Sequence, residues 1–191
     1  MLYLVIGLIV FLGIHSLAIV SPAGRLALIG KLGLLPYKLL YSVIAIAGLV
    51  LIIHGWGQAR LDPVVLYNPP RFLLHVNNLL MLFVFPMLLA AYLPGRIQTT
   101  LKHPMLVAVK TWALAHLLVN GTLAAVLLFG GFLAWAVADR ISMKRRPPQS
   151  TPRLPQWKFN DIIVVVAGLA IHVAFIFWLH PLLIGVPAVP R

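Results

Sequence analysis

Long apolar runs, separated by short polar segments, make up most of the chain. A helix needs about 20 apolar residues to cross a hydrocarbon layer of about 30 Å. The runs therefore predict an all-α membrane protein, a bundle of about six transmembrane helices. The predicted spans are residues 2–20, 37–56, 72–93, 104–119, 121–138 and 161–181. The fourth span is short, and the dipeptide Asn120-Gly121 predicts the turn that separates it from the fifth.

The basic residues fall mostly on one side of this predicted bundle. Eleven follow the first, third and fifth spans, three lie on the opposite side, and one, Lys110, lies within the fourth span. Because basic loops remain on the cytoplasmic side, the bias predicts that both termini lie outside. The eleven are Arg25, Lys31, Lys38, Arg96, Lys102, Arg140, Lys144, Arg145, Arg146, Arg153 and Lys158, and the three are Arg60, Arg71 and Arg191.

Composition narrows the class of protein further. Of 191 residues, 62% are hydrophobic and 9% charged, which excludes a soluble globular domain. The net charge of +12 favours anionic membrane lipid over nucleic acid as a partner, because the basic residues lie between apolar runs. The absence of cysteine excludes disulfides, thiolate metal sites, Fe–S clusters and a cysteine nucleophile.

The pattern divides the chain into three regions. Residues 1–140 form a predicted five-helix membrane domain, 141–160 a basic, proline-rich cytoplasmic loop, and 161–191 a C-terminal transmembrane helix with its tail. The loop is interpreted as a topology anchor on the lipid surface, with protein docking as the alternative. Small residues, among them Gly48, Gly121 and Gly130, are interpreted as sites of close helix packing.

Seven histidines in a chain with only three acidic residues are the main candidates for chemistry. Ionisable groups inside a membrane usually face the bundle interior and mark functional sites. Several histidines on different helices favour a bound metal or cofactor over hydrogen bonds between helices. An iron site of two histidines and a carboxylate is excluded for want of an acidic residue within the spans, whereas an all-histidine zinc or copper site is an alternative.

The segment KTWALAHLLVNG of the fourth span concentrates polar groups in an apolar run. Trp112, His116 and Asn120 are spaced by four and share one stripe of a helix, whereas His103 and Lys110 share a second stripe. The two stripes point in different directions, so this helix cannot turn both of them toward lipid. The segment therefore predicts either a buried polar network or a bound group.

Lys110 raises the question of its counter-ion. It lies about 10 Å along the helix axis from His103, too deep to reach the membrane surface easily. With almost no acidic residue in the membrane portion, a carboxylate from a ligand is attractive, and the propionates of a haem are one example. A deprotonated lysine, helix-end carbonyls, Asp62 and Asp139 are the alternatives.

These residues resemble the signature of the NnrU family. The resemblance rests on His-Pro-Met at 103–105, Lys110, Trp112 and Ala-His-Leu-Leu-Val-Asn-Gly at 115–121, while the Ile-His-Ser-Leu that contains His15 resembles the first helix of that family. It covers most of the first 140 residues. The resemblance implies a multi-pass protein of the bacterial inner membrane, associated with denitrification, whose termini would then face the periplasm.

A better understood relative of that family, 15-cis-ζ-carotene isomerase, is similar in this region. That enzyme holds haem b through histidines and isomerises a polyene bond when the iron is reduced. The resemblance thus implies haem b as the cofactor, with His15 and His116 as the axial ligands of its iron. The other candidate cofactor-binding residues are Lys110, Trp112, Asn120 and His103, and the reserve ligands, which match His116 in depth, are His54 and His75.

Several functions follow as hypotheses. The leading one is a membrane haem b protein of nitrogen-oxide metabolism, or a redox-dependent isomerase of a carotenoid-like polyene with a lipophilic small molecule as its substrate. The alternatives are a cofactor-free scaffold or assembly subunit with membrane-protein partners, and a transporter, which requires broken helices and an internal repeat. Lys102-His103-Pro104 also resembles membrane methyltransferases of the isoprenylcysteine type, but the apolar C-terminus lacks their polar cofactor lobe.

Overall fold

The computed structural model describes residues 1–146 and 154–188. Within these ranges the backbone is mainly helical, and β-pairing is limited to one isolated bridge between Val65 and Thr122. Five helical segments are long and apolar enough to cross a membrane, and Pro104–Val119 is a shorter apolar helix of 16 residues. The predicted all-α membrane fold with about six spans is confirmed, whereas the orientation of the termini stays a prediction.

Ten α-helices and one π-helical segment follow one another along the described residues. They are α1 (Leu2–Val20), α2 (Pro22–Leu32), α3 (Leu34–Ala59), α4 (Leu73–Met81), α5 (Val84–Ala90), α6 (Arg96–Leu101), α7 (Pro104–Val119), α8 (Leu123–Ser142), α9 (Asn160–Ala174), the π-helical segment Phe175–Leu179 and α10 (His180–Ile184). The five long spans are α1, α3, α4 with α5, α8, and α9 through α10. Part of the predicted basic loop, residues 147–153, and the tail 189–191 lie outside the described residues.

The chain forms two compact units, each built from two separate stretches of sequence. Unit 1 comprises Met1–Asn68 and Asn120–Pro148, and therefore contains α1, α2, α3 and α8. Unit 2 comprises Pro69–Val119 and Gln149–Arg191, and contains α4 to α7 with α9 and α10. The division of the sequence into a domain, a loop and a last helix stays a prediction.

In unit 1, α1 packs against α3 along a stripe of small residues. Gly48, Ile52, Gly55 and Ala59 are buried on α3 at helical spacing. A Cβ atom on Gly48 would lie 2.8 Å from the backbone nitrogen of Phe11 in α1. Such close backbone approach is how helices associate in lipid, where the hydrophobic effect gives little driving force. The packing role predicted for Gly48 is confirmed.

The loop that follows α3 returns to the start of α8, also in unit 1. The N–H of Leu66 donates to the carbonyl of Gly121 over 2.8 Å, and the N–H of Leu123 donates to the carbonyl of Val64 over 2.8 Å. A Cβ atom on Gly121 would collide with the carbonyl of Tyr67. Gly121 is thus needed for a loop contact, and Gly130 would meet no described atom within 4 Å, so the packing role predicted for Gly130 is wrong.

A short helix, α2, follows α1 in unit 1. The sequence did not predict it, because it contains no apolar run of membrane length. Ser21 caps it by accepting a hydrogen bond from the N–H of Gly24 over 3.2 Å, and Pro22 occupies the first turn. Both residue types favour a helix start at these positions. No residue of α2 is buried, and the Arg25 guanidinium lies 5.7 Å from the ring centre of Tyr37.

In unit 2, α5 is the central helix and packs against both α7 and α9. Val84 and Met87 of α5 and Ala108 of α7 form a buried cluster. On the other side of α5, a Cβ atom on Gly168 of α9 would lie 2.6 Å from the backbone nitrogen of Pro86. Small residues therefore bring α7 and α9 close to α5 on two of its faces.

Prolines interrupt two of the long spans in unit 2. The predicted third span is divided at Leu82 and Phe83 into α4 and α5, because Pro86 has no N–H to donate to the carbonyl of Leu82. In the last span, the turn preceding Pro181 widens into the π-helical segment. A wider turn relieves the clash that a proline ring causes with the carbonyl four residues earlier.

Asp161, one of three acidic residues, serves the fold of unit 2. Its carboxylate at the start of α9 accepts the backbone N–H groups of Arg96 over 2.9 Å and of Ile97 over 3.0 Å. The side-chain amide of Asn160 donates to the carbonyl of Pro94 over 2.8 Å. These contacts satisfy the unpaired N–H groups at the start of α6, and they tie α6 to α9.

Candidate functional site

His15, in unit 1, lies within a group of aromatic rings. Its Nδ1 donates to the carbonyl oxygen of Phe11 over 2.7 Å, and the two rings stack at 4.2 Å between centres. The rings of Tyr41 from α3 and Trp135 from α8 meet the imidazole edge-on at 5.2 Å and 5.9 Å. The indole nitrogen of Trp135 is buried without a hydrogen-bond acceptor in the described part of the chain. Three helices therefore hold this imidazole in an apolar pocket.

His116, in unit 2, is held in the same way. Its Nδ1 donates to the carbonyl oxygen of Trp112 over 3.0 Å, and the two rings lie 5.5 Å apart between centres. Trp112 in turn packs against the buried cluster of Val84, Met87 and Ala108. The packing of α5 on α7 thus fixes the turn of helix that carries His116.

The shared hydrogen bond decides the chemistry of both rings. A carbonyl oxygen can only accept, so the proton of each neutral imidazole must be on Nδ1, and Nε2 carries the lone pair. A metal-ligating histidine commonly donates its second ring N–H to a backbone carbonyl, which fixes both the tautomer and the ring orientation. Each ring therefore has the tautomer and the fixed orientation that a metal-ligating histidine would need, with Nε2 as the ligating atom.

The structure adds His180, which the sequence did not single out. It begins α10 in unit 2, the unit that also contains His116. Its Nδ1 donates to the carbonyl of Val186 over 2.7 Å, and its ring meets that of Phe175 edge-on at 5.8 Å. The two histidines are 64 residues apart in sequence, and the fold brings both into the same unit.

Two other predicted cofactor-binding residues, Lys110 and Asn120, lie in different surroundings. Lys110 is half-buried on α7 and takes part in no ion pair among the described residues. The ion pair found among them joins Arg146 to Asp139. Asn120 lies one residue beyond the end of α7, so the helical stripe stops before it, and its backbone carbonyl accepts the Tyr67 hydroxyl over 3.1 Å.

His103 precedes Pro104, the first residue of α7, at an unusual turn. Lys102 has φ 61° and ψ −44°, and the N–H of His103 donates to the carbonyl of Leu101 over 2.6 Å. These values describe a γ-turn with positive φ, a rare and strained conformation. The half-buried His103 therefore follows a tight turn that the local sequence does not favour.

The reserve ligands His54 and His75 are both exposed. His54 lies on α3 with its ring edge-on to Tyr3 at 5.1 Å, and His75 lies on α4. No group of three or more His, Asp or Glu residues in the described ranges is arranged to hold a metal ion. An all-histidine zinc or copper site thus gains no support from these ranges.

Fold and site together define a helical membrane protein in which backbone carbonyls orient two intramembrane histidines. Within that class, residues 3–188 match the family described as NnrU protein, and the chain belongs to the NnrU family. The match extends past residue 140 through the last helix, so the family resemblance includes α9 and α10. No curated protein and no solved structure matches the chain.

Proposed function

We propose that this NnrU-family protein binds haem b within the membrane, and that His15 in unit 1 and His116 in unit 2 are each a candidate histidine ligand of its iron. The observation that carries the proposal is the hydrogen bond that each ring makes to the carbonyl four residues before it. In both residues this bond leaves the lone pair on Nε2, the nitrogen that would bind a metal.

The remaining residues have roles that follow from their chemistry. Lys110 is a half-buried cation without an ion pair in the described ranges, and a haem propionate would neutralise it where the dielectric is low. Trp112 and its packing against α5 hold His116 rigid and keep water from that side of the imidazole. When bound, haem b would supply a redox-active iron whose affinity for an axial ligand depends on its oxidation state.

At the level of cellular role, two activities are compatible with such a site. One is redox or haem-handling work in nitrogen-oxide metabolism, and the other is redox-dependent cis–trans isomerisation of a carotenoid-like polyene. For either activity we propose a multi-pass protein of the inner membrane with periplasmic termini, in agreement with the basic-residue bias. The lipid phase would supply an apolar polyene directly to the bundle.

A cofactor-free scaffold is the second candidate. It is favoured by exposed aromatic side chains on the last span, where Phe177 and Trp178 are 63% and 67% exposed. Exposed aromatic groups are enriched where helices meet partners. On this view the histidines serve helix packing, and their loss would change stability without any change in visible absorption.

The test is the visible spectrum of the detergent-purified full chain from haem-replete cells, oxidised and then reduced with dithionite. We expect a Soret band with sharp α and β bands after reduction, and its loss in His116→Ala. The matched control is His172→Leu, which removes another buried histidine of unit 2 and should keep the bands. A wild-type protein without a Soret band would overturn haem binding, and normal haem content in His116→Ala would overturn the ligand assignment.

A further inference from the structure

A cavity of about 390 Å³ opens in unit 1, where α1 and α8 end and α2 begins. Its walls include Ile19, Pro22, Ala138, Ile141, Arg145 and Arg146. This volume is within the range of about 300–1,000 Å³ that small-molecule sites usually have. The cavity shares no residue with the surroundings of His15 and belongs to a different part of unit 1.

Arg146 indicates what the cavity would hold. Its side chain is 8% exposed and pairs with Asp139 through Nη2 at 2.6 Å. Its Nη1 is buried without a hydrogen-bond acceptor among the described residues. A guanidinium offers its donors in a planar fork that suits the oxygens of a phosphate or carboxylate, and an unpaired buried donor is costly. Nη1 of Arg146 therefore needs a hydrogen-bond acceptor that the described residues do not supply.

The charge at the cavity favours an anion. Asp139 balances one of the two guanidinium groups, which leaves the exposed Arg145 without a carboxylate in the described ranges. Pro22, the first residue of α2, also lines the cavity, so the positive end of that helix dipole lies at the wall. The hydroxyl of Ser142 lines the cavity as a further potential donor.

The rest of the wall is apolar, and this indicates the carrier of the anion. Ile19, Ala138 and Ile141 offer hydrocarbon surface beside the two arginines. Both α1 and α8 are membrane-length helices that end here, which is the level at which lipid phosphates lie. We propose that the cavity is a binding site for the phosphate of an anionic phospholipid, with the guanidinium of Arg146 as its central donor.

The test uses the full-length protein in neutral detergent and follows its unfolding temperature as phosphatidylglycerol, phosphatidylcholine or inorganic phosphate is added. The informative pair is Arg145→Gln, which changes the cavity wall, and Lys144→Gln, an equal charge change on an exposed neighbour outside the wall. Arg146 itself is left intact, because its loss would strand the buried Asp139. Ala138→Phe, a third variant, fills the apolar side of the cavity without changing charge.

We expect phosphatidylglycerol to stabilise the wild type and Lys144→Gln alike, and to bind Arg145→Gln about fivefold more weakly. Ala138→Phe should weaken the binding of phosphatidylglycerol and leave the binding of inorganic phosphate unchanged. That result would support a lipid as the ligand. If inorganic phosphate stabilises Lys144→Gln more than Arg145→Gln, whereas phosphatidylglycerol stabilises the two variants equally, the cavity binds phosphate but its ligand is a soluble anion and not a lipid. If neither probe distinguishes the two variants, the proposal is overturned, because binding then follows net charge alone.

Discussion

Nδ1 of His15 donates a 2.7 Å hydrogen bond to the carbonyl oxygen of Phe11, one helical turn earlier. In a straight helix that carbonyl already accepts the N–H of the residue four positions on, so the imidazole adds a second donor to one acceptor. The bond fixes the ring against rotation, and its stacking on Phe11 at 4.2 Å does the same. An imidazole held in this way would lose little rotational freedom on binding a metal.

His15→Gly should reduce haem retention at least about tenfold, since loss of even an indirect partner of a metal ligand commonly costs that much. Free imidazole should restore the absorption bands, because it can enter the space that the side chain leaves. The control is Ser16→Gly in the same turn, which also loses a side-chain bond to its own helix, from the hydroxyl to Leu12. Equal loss in both variants would point to damage to α1 rather than to a ligand.

Gly48→Ala should destabilise the bundle by about 1–3 kcal/mol, the usual cost of overpacking. The new Cβ would lie 2.8 Å from the backbone nitrogen of Phe11, where neither helix can yield by moving a side chain alone. Gly13→Ala is the control, because no described atom lies within 4 Å of that Cβ position. Thermal unfolding in detergent should separate the two variants, and an unaffected Gly48→Ala would mean that α1 and α3 are less tightly packed.

Asp161→Asn should weaken the start of α6, because an amide has one acceptor oxygen where the carboxylate uses two. The expected loss is about 0.5–2 kcal/mol, as for other helix caps. Amide hydrogen exchange measured at Arg96 and Ile97 should accelerate. Asp62→Asn, an equal change at an exposed loop residue, should leave both amides as protected as in the wild type, and unchanged exchange in Asp161→Asn would contradict the cap.

His172→Leu should stabilise unit 2. The imidazole is 6% exposed, its Nδ1 has no partner among the described residues, and Phe85 is a ring neighbour at 6.2 Å. Replacing a buried polar group that has no partner with an apolar one removes a desolvation penalty of about 1–3 kcal/mol. A rise in unfolding temperature is the expected result, whereas a fall would show that the imidazole has a hydrogen-bond partner after all.

The sequence predicted most of the spans, because membrane length and hydropathy are local properties. It also predicted the turn at Asn120-Gly121, and α7 does end at Val119. It did not predict α2, since an interfacial helix of 11 residues leaves no long apolar run. The hydropathy pattern does not predict the division of the third span at Leu82, although Pro86 is a local signal for it.

The candidate site was less accessible from sequence. The spacing of Trp112 and His116 predicts that they share a face, and their ring contact agrees with it. The capping of α6 by Asp161 depends on contacts between segments far apart in the chain. Such contacts are set by tertiary packing, which a single sequence does not encode as a periodic pattern.

Each unit is made of two stretches that alternate along the chain. The order of synthesis therefore delays the folding of each unit until its second stretch has been made. The ribosome delivers α1 and α3 first, but α8, which packs on α1, follows only after the first stretch of unit 2 has emerged. Within unit 2, α5 must likewise wait for α9, the last long helix to enter the bilayer. Neither unit can therefore be completed before the later of its two stretches has been synthesised, and a chain truncated before α8 would leave uncovered the surface of α1 that packs on it.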